Sequence, residues 1–162
     1  MPSITKTLCG LAAVFAMSSA HAQGVATQKN VSLALAQTIA NGAMAQCQSM
    51  GFKVSVSVLD RDGLVVVMMR GDGAGLHTPE GSDRKAYTAL TYKSPSAVFA
   101  KRVLDEPSYA PATTYARVLA LGGGLPVKVG DEVIGAVGVS GSPGKDDVCS
   151  QAGLDKAADQ LK

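Results

Sequence analysis

The sequence has 162 residues, of which 46% are apolar, 17% charged and only 4% aromatic. This composition excludes a disordered chain, a disulfide-dense toxin and a polytopic membrane protein, and it favours one compact domain. The formal net charge is +2, the basic residues are scattered along the chain, and tryptophan is absent. We expect no nucleic-acid partner, because binding nucleic acid needs a basic stripe and often stacking aromatic side chains.

The first 22 residues have the pattern of a secretory signal peptide. Lys6 precedes a short apolar run over residues 8–17, and Ala20-His21-Ala22 supplies small residues before a cleavage point. The apolar run is too short to span a bilayer. The sequence therefore predicts cleavage of residues 1–22, a single domain over residues 23–162, a periplasmic or secreted protein, and no stable membrane anchor.

The first element of the domain is predicted to be an amphipathic helix over residues 30–50, capped by Asn30 and ended by Gly51. Its apolar residues recur at spacings of three and four. This stripe consists of Val31, Leu35, Ile39, Ala43, Cys47 and Met50. The period then changes to two over residues 53–58, and a second apolar run covers residues 64–69. Asp62-Gly63 lies between the two runs, so the pattern predicts a β-hairpin.

A glycine-rich loop and two helices are predicted to follow the hairpin. Residues 70–79 contain three glycines and show no usable period, which is typical of a loop that can carry function. Ser82 opens a helix that continues to residue 92. Ser94-Pro95 begins a second, short helix, because proline is tolerated in a first turn.

The last part of the chain is predicted to contain three strands and a helix. Residues 117–121 form one strand, and residues 125–129 and 133–139 form a hairpin. Residues 134–139 are small or apolar on both faces, which predicts a central strand covered on both sides. A final helix covers residues 146–161. The expected fold is α+β, with a five-stranded, mainly antiparallel sheet and helices on both faces.

Two motifs resemble catalytic signatures but lack required residues. In a phosphate loop ending at Gly144-Lys145, Val139 would replace a glycine and Asp146 would replace a serine or threonine. The segment around Ser140 lacks the last glycine of a nucleophile elbow. We assign no catalytic residue and expect a binding protein rather than an enzyme.

Five residues remain as candidates for chemistry. Cys47 and Cys149 are the two cysteines after the predicted cleavage, and in an oxidising compartment they can pair or simply pack. His77 is the only histidine after residue 22 and lies in the glycine-rich loop. An exposed imidazole there can ligate haem iron, although a solvated histidine without a role is the alternative. Arg84 and Lys85 can pair with haem propionates or can lie on a solvated helix face.

Four segments of the chain form a pattern that is specific in combination. They are Arg70-Gly-Asp-Gly-Ala-Gly75, Asp83-Arg84-Lys85-Ala86-Tyr87-Thr88-Ala89, Gly122-Gly123-Gly124-Leu125-Pro126-Val127 and Ile134-Gly135-Ala136-Val137-Gly138-Val139-Ser140-Gly141. Together they resemble the GlcG/HbpS haem-binding family, which is related to the carboxy-terminal domain of PduO corrinoid adenosyltransferases. The resemblance covers essentially all of residues 30–161. It implies a profilin-like α+β domain that forms homo-oligomers and, in secreted members, binds haem, with roles in haem or iron handling or in redox sensing.

The resemblance implies haem as the cofactor but supplies no invariant ligand to transfer. Our candidates come from the loop and the next helix: His77 as the axial ligand of the iron, then Thr78 and Thr88, with Arg84 as the partner of an anionic group. The alternative function is binding of, or action on, a small organic acid such as glycolate, with Arg70 or Arg84 holding the carboxylate. A third possibility is an oligomeric scaffold without a ligand.

Overall fold

The computed structural model describes residues 24–162, so the predicted signal peptide lies outside the described residues. The helices and strands follow one another along the chain in the order α-β-β-α-α-β-β-α. Their bounds are α1 Leu33–Ser49, β1 Ser55–Asp60, β2 Val65–Arg70, α2 Thr78–Tyr92, α3 Ser96–Asp105, β3 Gly124–Val129, β4 Glu132–Ser140 and α4 Asp146–Lys156. Two 3-10 helices cover Pro107–Thr114 and Ala158–Gln160. Within the described residues, no helix is long and apolar enough to cross a membrane.

The four strands form one sheet in the order β2-β1-β4-β3, and every neighbouring pair is antiparallel. The expected α+β class with an antiparallel sheet is therefore confirmed. The two predicted hairpins are β1-β2 and β3-β4, and β4 lies in the interior of the sheet between β1 and β3. The expected number of five strands is wrong, because the sheet of residues 24–162 has four.

The missing strand is the segment 117–121, which lies along α2 instead of joining the sheet. The Leu119 N–H donates to Thr88 Oγ1 at 2.8 Å, and Arg84 Nη2 donates to the Val118 carbonyl at 3.0 Å. Side chains of α2 thus satisfy backbone groups that a strand would pair with a neighbouring strand. The apolar sequence of this segment reflects burial of Val118, which is 2% exposed, rather than strand pairing.

Helices lie on both faces of the sheet. Helices α1 and α4 cover one face, where Val54, just before β1, and the β1 residues Val56 and Val58 join the larger core cluster. Helix α2 covers the other face, which β1 lines with Ser55 and Ser57. The valine-serine alternation therefore separates a wide apolar layer from a close-packed, hydrogen-bonded layer.

Small residues allow α2 to approach the sheet closely. A Cβ on Gly138 would lie 2.1 Å from the Ser82 carbonyl oxygen, and a Cβ on Gly81 would lie 2.6 Å from Ser140 Oγ. The hydroxyl oxygens of Ser57 and Ser82 lie 2.7 Å apart, which places a hydrogen bond in the same interface. This contact fixes the position of α2, and with it the loop from which α2 starts.

Three predicted helix boundaries differ from the observed ones. Helix α1 is capped by Ser32, whose Oγ accepts from the Leu35 N–H, while Asn30 Oδ1 accepts from the backbone of Arg61. Helix α2 begins at Thr78 rather than at Ser82, with proline in its first turn. Helix α4 ends at Lys156, so the predicted end at residue 161 is too late.

Candidate functional site

The glycine-rich loop of residues 71–77 connects β2 to α2 and is held by its own backbone. The Gly71 N–H donates to the Val54 carbonyl at 2.9 Å, and the Ala74 N–H donates to the Gly71 carbonyl at 3.0 Å. Gly73 has a φ of +74°, a conformation that favours glycine. Ala74, in the middle of the loop, is buried. The loop is therefore an ordered surface on which side chains can be positioned.

His77 is the last residue of this loop and occupies the N-cap position of α2. Its side chain is exposed, and the imidazole lies against Gly75, where a Cβ would come within 2.9 Å of His77 Cε1. Among residues 24–162, no group forms a hydrogen bond with either ring nitrogen of His77. An exposed, unengaged imidazole can accept a proton or donate its lone pair to a metal.

Two further side chains lie at the same loop, one just before it and one within it. Arg70 ends β2 opposite Ser55, and the Ser55 hydroxyl is hydrogen-bonded to Thr78, the residue after His77. Arg70 is exposed, and its Nη2 donates to the Ala74 carbonyl at 2.6 Å. Leu76, which is 88% exposed, projects from the loop itself. The loop thus presents an imidazole, a guanidinium and an apolar side chain to solvent.

The two predicted threonine candidates are buried and hydrogen-bonded. Thr78 Oγ1 donates to the Gly75 carbonyl at 2.7 Å and lies 2.8 Å from Ser55 Oγ. Thr88 Oγ1 donates to the Arg84 carbonyl at 2.8 Å and accepts from the backbone N–H of the segment 117–121. Both hydroxyls serve the packing of α2.

Arg84, the predicted partner of an anionic group, is also engaged. Its Nη1 lies 3.1 Å from Glu80 Oε1, and its Nη2 donates to the Val118 carbonyl. Thr88 follows His77 by 11 residues, which separates them by about 16 Å along α2. The structure therefore places His77 and Thr78 together, puts Thr88 further along α2, and pairs Arg84 with Glu80 and the Val118 carbonyl.

Cys47 and Cys149 are joined by a disulfide with a Cα–Cα distance of 5.5 Å. Both residues are fully buried, and the bond connects α1 to α4 on one face of the sheet. Ser142 Oγ lies 3.2 Å from Cys47 Sγ. The disulfide therefore fixes the two helices that cover the larger core.

Lys85 lies in an environment that the sequence analysis did not anticipate. It is only 5% exposed, and its ammonium donates to Asp146 Oδ2 at 2.6 Å, which links α2 to the first residue of α4. Asp146 Oδ1 accepts from both the backbone N–H and the hydroxyl of Ser142. Lys85 shares the buried face of α2 with Ser82 and Ala89, a spacing that could have indicated its burial. The alternative of a solvated helix face is therefore wrong for Lys85, and its ammonium is already paired with Asp146.

Metal ions have no preformed protein cage in the described part of the chain, because residues 24–162 contain no cluster of three or more histidine, cysteine, aspartate or glutamate side chains arranged to hold one. Iron bound at this loop would have to be held mainly by a macrocycle, with His77 as one protein ligand. The residues around the loop fit such a group: one free imidazole, one exposed cation and exposed apolar side chains.

Comparisons with known proteins agree with this description. The sequence profile of a family described as haem degrading protein HbpS-like matches residues 31–155. A 15.0 kDa protein of Citrobacter freundii from the dhaT-dhaS intergenic region is 34% identical over 113 residues, which are 68% of this chain and 80% of that protein. The crystal structure of HbpS, a protein of Streptomyces reticuli, is 31% identical with a TM-score of 0.78, covering 85% of this chain and 97% of HbpS. The crystal structure of a PduOC–haem complex is 24% identical with a TM-score of 0.71, covers 78% and 94% of the two chains, and shows the shared fold.

Proposed function

Because the chain belongs to the HbpS-like family of haem degrading proteins, we propose that it binds haem at the loop 71–77, with His77 as the axial ligand of the iron. The observation that carries this proposal is the exposed imidazole of His77, whose nitrogens have no hydrogen-bond partner among the described residues. A haem held there supplies iron chemistry that the chain's own side chains lack. The PduOC–haem complex supports the choice of ligand, since that protein shares the fold.

The surroundings of His77 match the chemistry of a porphyrin. Leu76 offers apolar contact beside the imidazole, and Met68 on β2 is 44% exposed on the sheet face that α2 covers only partly. Among residues 24–162 the Arg70 side chain makes one hydrogen bond, to the Ala74 carbonyl, so its other N–H groups can pair with a propionate. We propose Arg70 as the propionate partner in place of Arg84, because the guanidinium of Arg84 is already engaged by Glu80 and Val118.

Titration of the purified protein with haemin tests the site. We expect a saturable shift of the Soret band in the wild-type protein, and a dissociation constant at least about tenfold higher for His77→Ala, because the variant loses the axial ligand. The experiment uses the absorption spectrum, which reports ligation directly.

Lys128→Ala is the matched control for this titration, because Lys128 is an exposed residue on β3, at the opposite edge of the sheet from β2. The control should bind haemin as the wild-type protein does. A dissociation constant that His77→Ala leaves unchanged would remove the site from the loop, and the absence of saturation in the wild-type protein would end the haem proposal.

We further propose that the protein is exported, loses residues 1–22 and functions as a homo-oligomer in haem or iron handling or in redox sensing. The signal-peptide pattern supports export, and so does the Cys47–Cys149 disulfide, since disulfides persist in oxidising compartments. Exposed apolar side chains such as Val98, Leu104 and Tyr115 support self-association.

Native mass spectrometry of the protein from the periplasmic fraction tests these three features together. We expect a subunit that begins at Gln23 and has a mass two hydrogen atoms below that of the fully reduced chain, and an assembly mass that is a multiple of this subunit mass. An uncleaved subunit in the cytoplasmic fraction would contradict export, and a monomeric mass at micromolar concentration would contradict self-association.

A further inference from the structure

A second cleft lies away from the loop 71–77, where α2, the glycine run 122–124 and the start of α4 meet. Its volume is about 470 Å³, and its lining includes Lys85, Leu121, Gly122, Asp146 and Asp147. We propose that this cleft binds a small, uncharged hydroxy-carbonyl compound, with Lys85 donating to the carbonyl oxygen and Asp147 accepting from the hydroxyl. The haem proposal does not involve any of these residues.

Lys85 is the donor in this cleft. A lysine ammonium has three N–H groups, and among residues 24–162 the only protein acceptor of Lys85 is Asp146 Oδ2, at 2.6 Å. Two N–H groups of a residue that is 5% exposed thus remain without protein acceptors, and Lys85 forms part of the cleft lining. Because a buried cationic donor is costly to leave unsatisfied, these two N–H groups indicate a place for an acceptor oxygen.

Asp147 is the acceptor in the same cleft. Its Oδ1 accepts from the Gly123 N–H at 2.8 Å, which holds the carboxylate in place against the glycine run. Its Oδ2 has no hydrogen bond to the described part of the chain. A Cβ on Gly122 would lie only 2.6 Å from Asp147 Oδ2, so the glycine leaves the approach to this oxygen open.

The charges of the lining select an uncharged ligand. Lys85 is neutralised by Asp146, whose Oδ1 is fixed by two hydrogen bonds from Ser142. Asp147 then leaves the lining with one surplus negative charge, which opposes an organic acid. An organic cation would pair with Asp147 but offers no acceptor to the N–H groups of Lys85. A neutral molecule with adjacent carbonyl and hydroxyl groups satisfies both Lys85 and Asp147 without adding charge.

Titrations followed by ¹H–¹⁵N nuclear magnetic resonance test the proposal with three probes of similar size. Hydroxyacetone has both groups, acetone lacks the hydroxyl, and glycolate replaces the ketone with a carboxylate. We expect hydroxyacetone to give saturable shifts of the backbone amides of Gly122, Gly123 and Asp147. Acetone and glycolate should bind at least about tenfold more weakly, because each loses or opposes one of the two interactions.

Asp147→Asn tests the acceptor while retaining an oxygen for the Gly123 N–H. We expect it to weaken hydroxyacetone binding about tenfold, and we expect Asp155→Asn, an exposed position on the same helix, to leave binding unchanged. Unchanged amide shifts in the rest of each variant's spectrum would show that the fold is intact.

Two results would overturn the proposal. The first is the absence of saturable shifts with hydroxyacetone in the wild-type protein, which would mean that water satisfies Lys85. The second is glycolate binding as tightly as hydroxyacetone and improving in Asp147→Asn, which would identify an anion site instead. Because the probes are compared on the wild-type protein, the test does not depend on the stability of any variant.

Discussion

His77 owes its position to the residues beside it in the chain. Thr78 anchors the start of α2 to β1 through the Ser55 hydroxyl, and the small Gly75 leaves room for the imidazole to lie against the loop. Thr78 was a candidate haem ligand, but its observed contacts instead hold the backbone from which His77 projects. At the residue scale, the proposed site therefore depends on one ligand and on the packing that orients it.

Gly75→Ala tests this orientation without removing the imidazole. The new Cβ would come within 2.9 Å of His77 Cε1, so the ring must rotate away, while the backbone of residue 75 needs no left-handed conformation. We expect the haem dissociation constant to rise by about tenfold and the free energy of unfolding to change by less than about 0.5 kcal/mol. Haemin titration and urea denaturation measure the two quantities.

Gly24→Ala, at an exposed glycine with open space around it, is the control for that substitution. It should change neither quantity. Unaltered haem affinity in Gly75→Ala would mean that the orientation of the His77 ring does not matter for binding.

Helix α2 connects the loop, the sheet and the segment 117–121. Its first turns are bonded to β1 through Ser55 and Ser57, and its later turns hold the segment through Arg84 and Thr88. At the scale of elements, Arg84 and Thr88, both candidates for haem contacts, anchor α2 to an irregular segment. This role explains why both side chains are polar in positions near the core.

Thr88→Val removes one of these anchors while keeping the shape of the side chain. The Leu119 N–H loses its acceptor, so we expect the free energy of unfolding to fall by about 1–3 kcal/mol and the amide hydrogen of Leu119 to exchange faster. Haem binding should change little, since the anchor lies about 16 Å along α2 from His77. Hydrogen exchange measured by mass spectrometry follows the segment directly.

Thr91→Val is the matched control, because Thr91 is exposed on the same helix. It should leave both the stability and the exchange of residues 117–121 as they are in the wild-type protein. Equal protection of Leu119 in Thr88→Val and the wild-type protein would show that the segment is held by other contacts.

For the molecule as a whole, periodicity in the sequence was enough to predict most elements. The valine-serine alternation of β1, the helical stripe through Cys47 and the small-residue run of β4 each depend on a buried face that local pattern reveals. The segment 117–121 was mispredicted because side chains of α2 bond its backbone, and only tertiary contacts distinguish that arrangement from a strand.

The site residues were harder to predict for the same reason. The exposure of His77 follows from its loop, which the glycine pattern indicates. The burial of Thr78, Lys85 and Thr88 follows from how closely α2 approaches the sheet, and that distance is set by Gly138 on a strand more than 45 residues further along the chain. A polar residue on a helix therefore cannot be assigned to solvent or to the interior without the position of its neighbours.

Ligation of haem iron by His77 is the central claim, and chemical rescue tests it most directly. Absorption titration of His77→Gly with haemin, in the absence and presence of free imidazole, compares the same site with and without a nitrogen ligand. We predict that the glycine variant loses the Soret band of the wild-type complex and that imidazole restores it in a saturable manner. A wild-type spectrum of His77→Gly without imidazole would contradict the account, because another residue would then hold the iron.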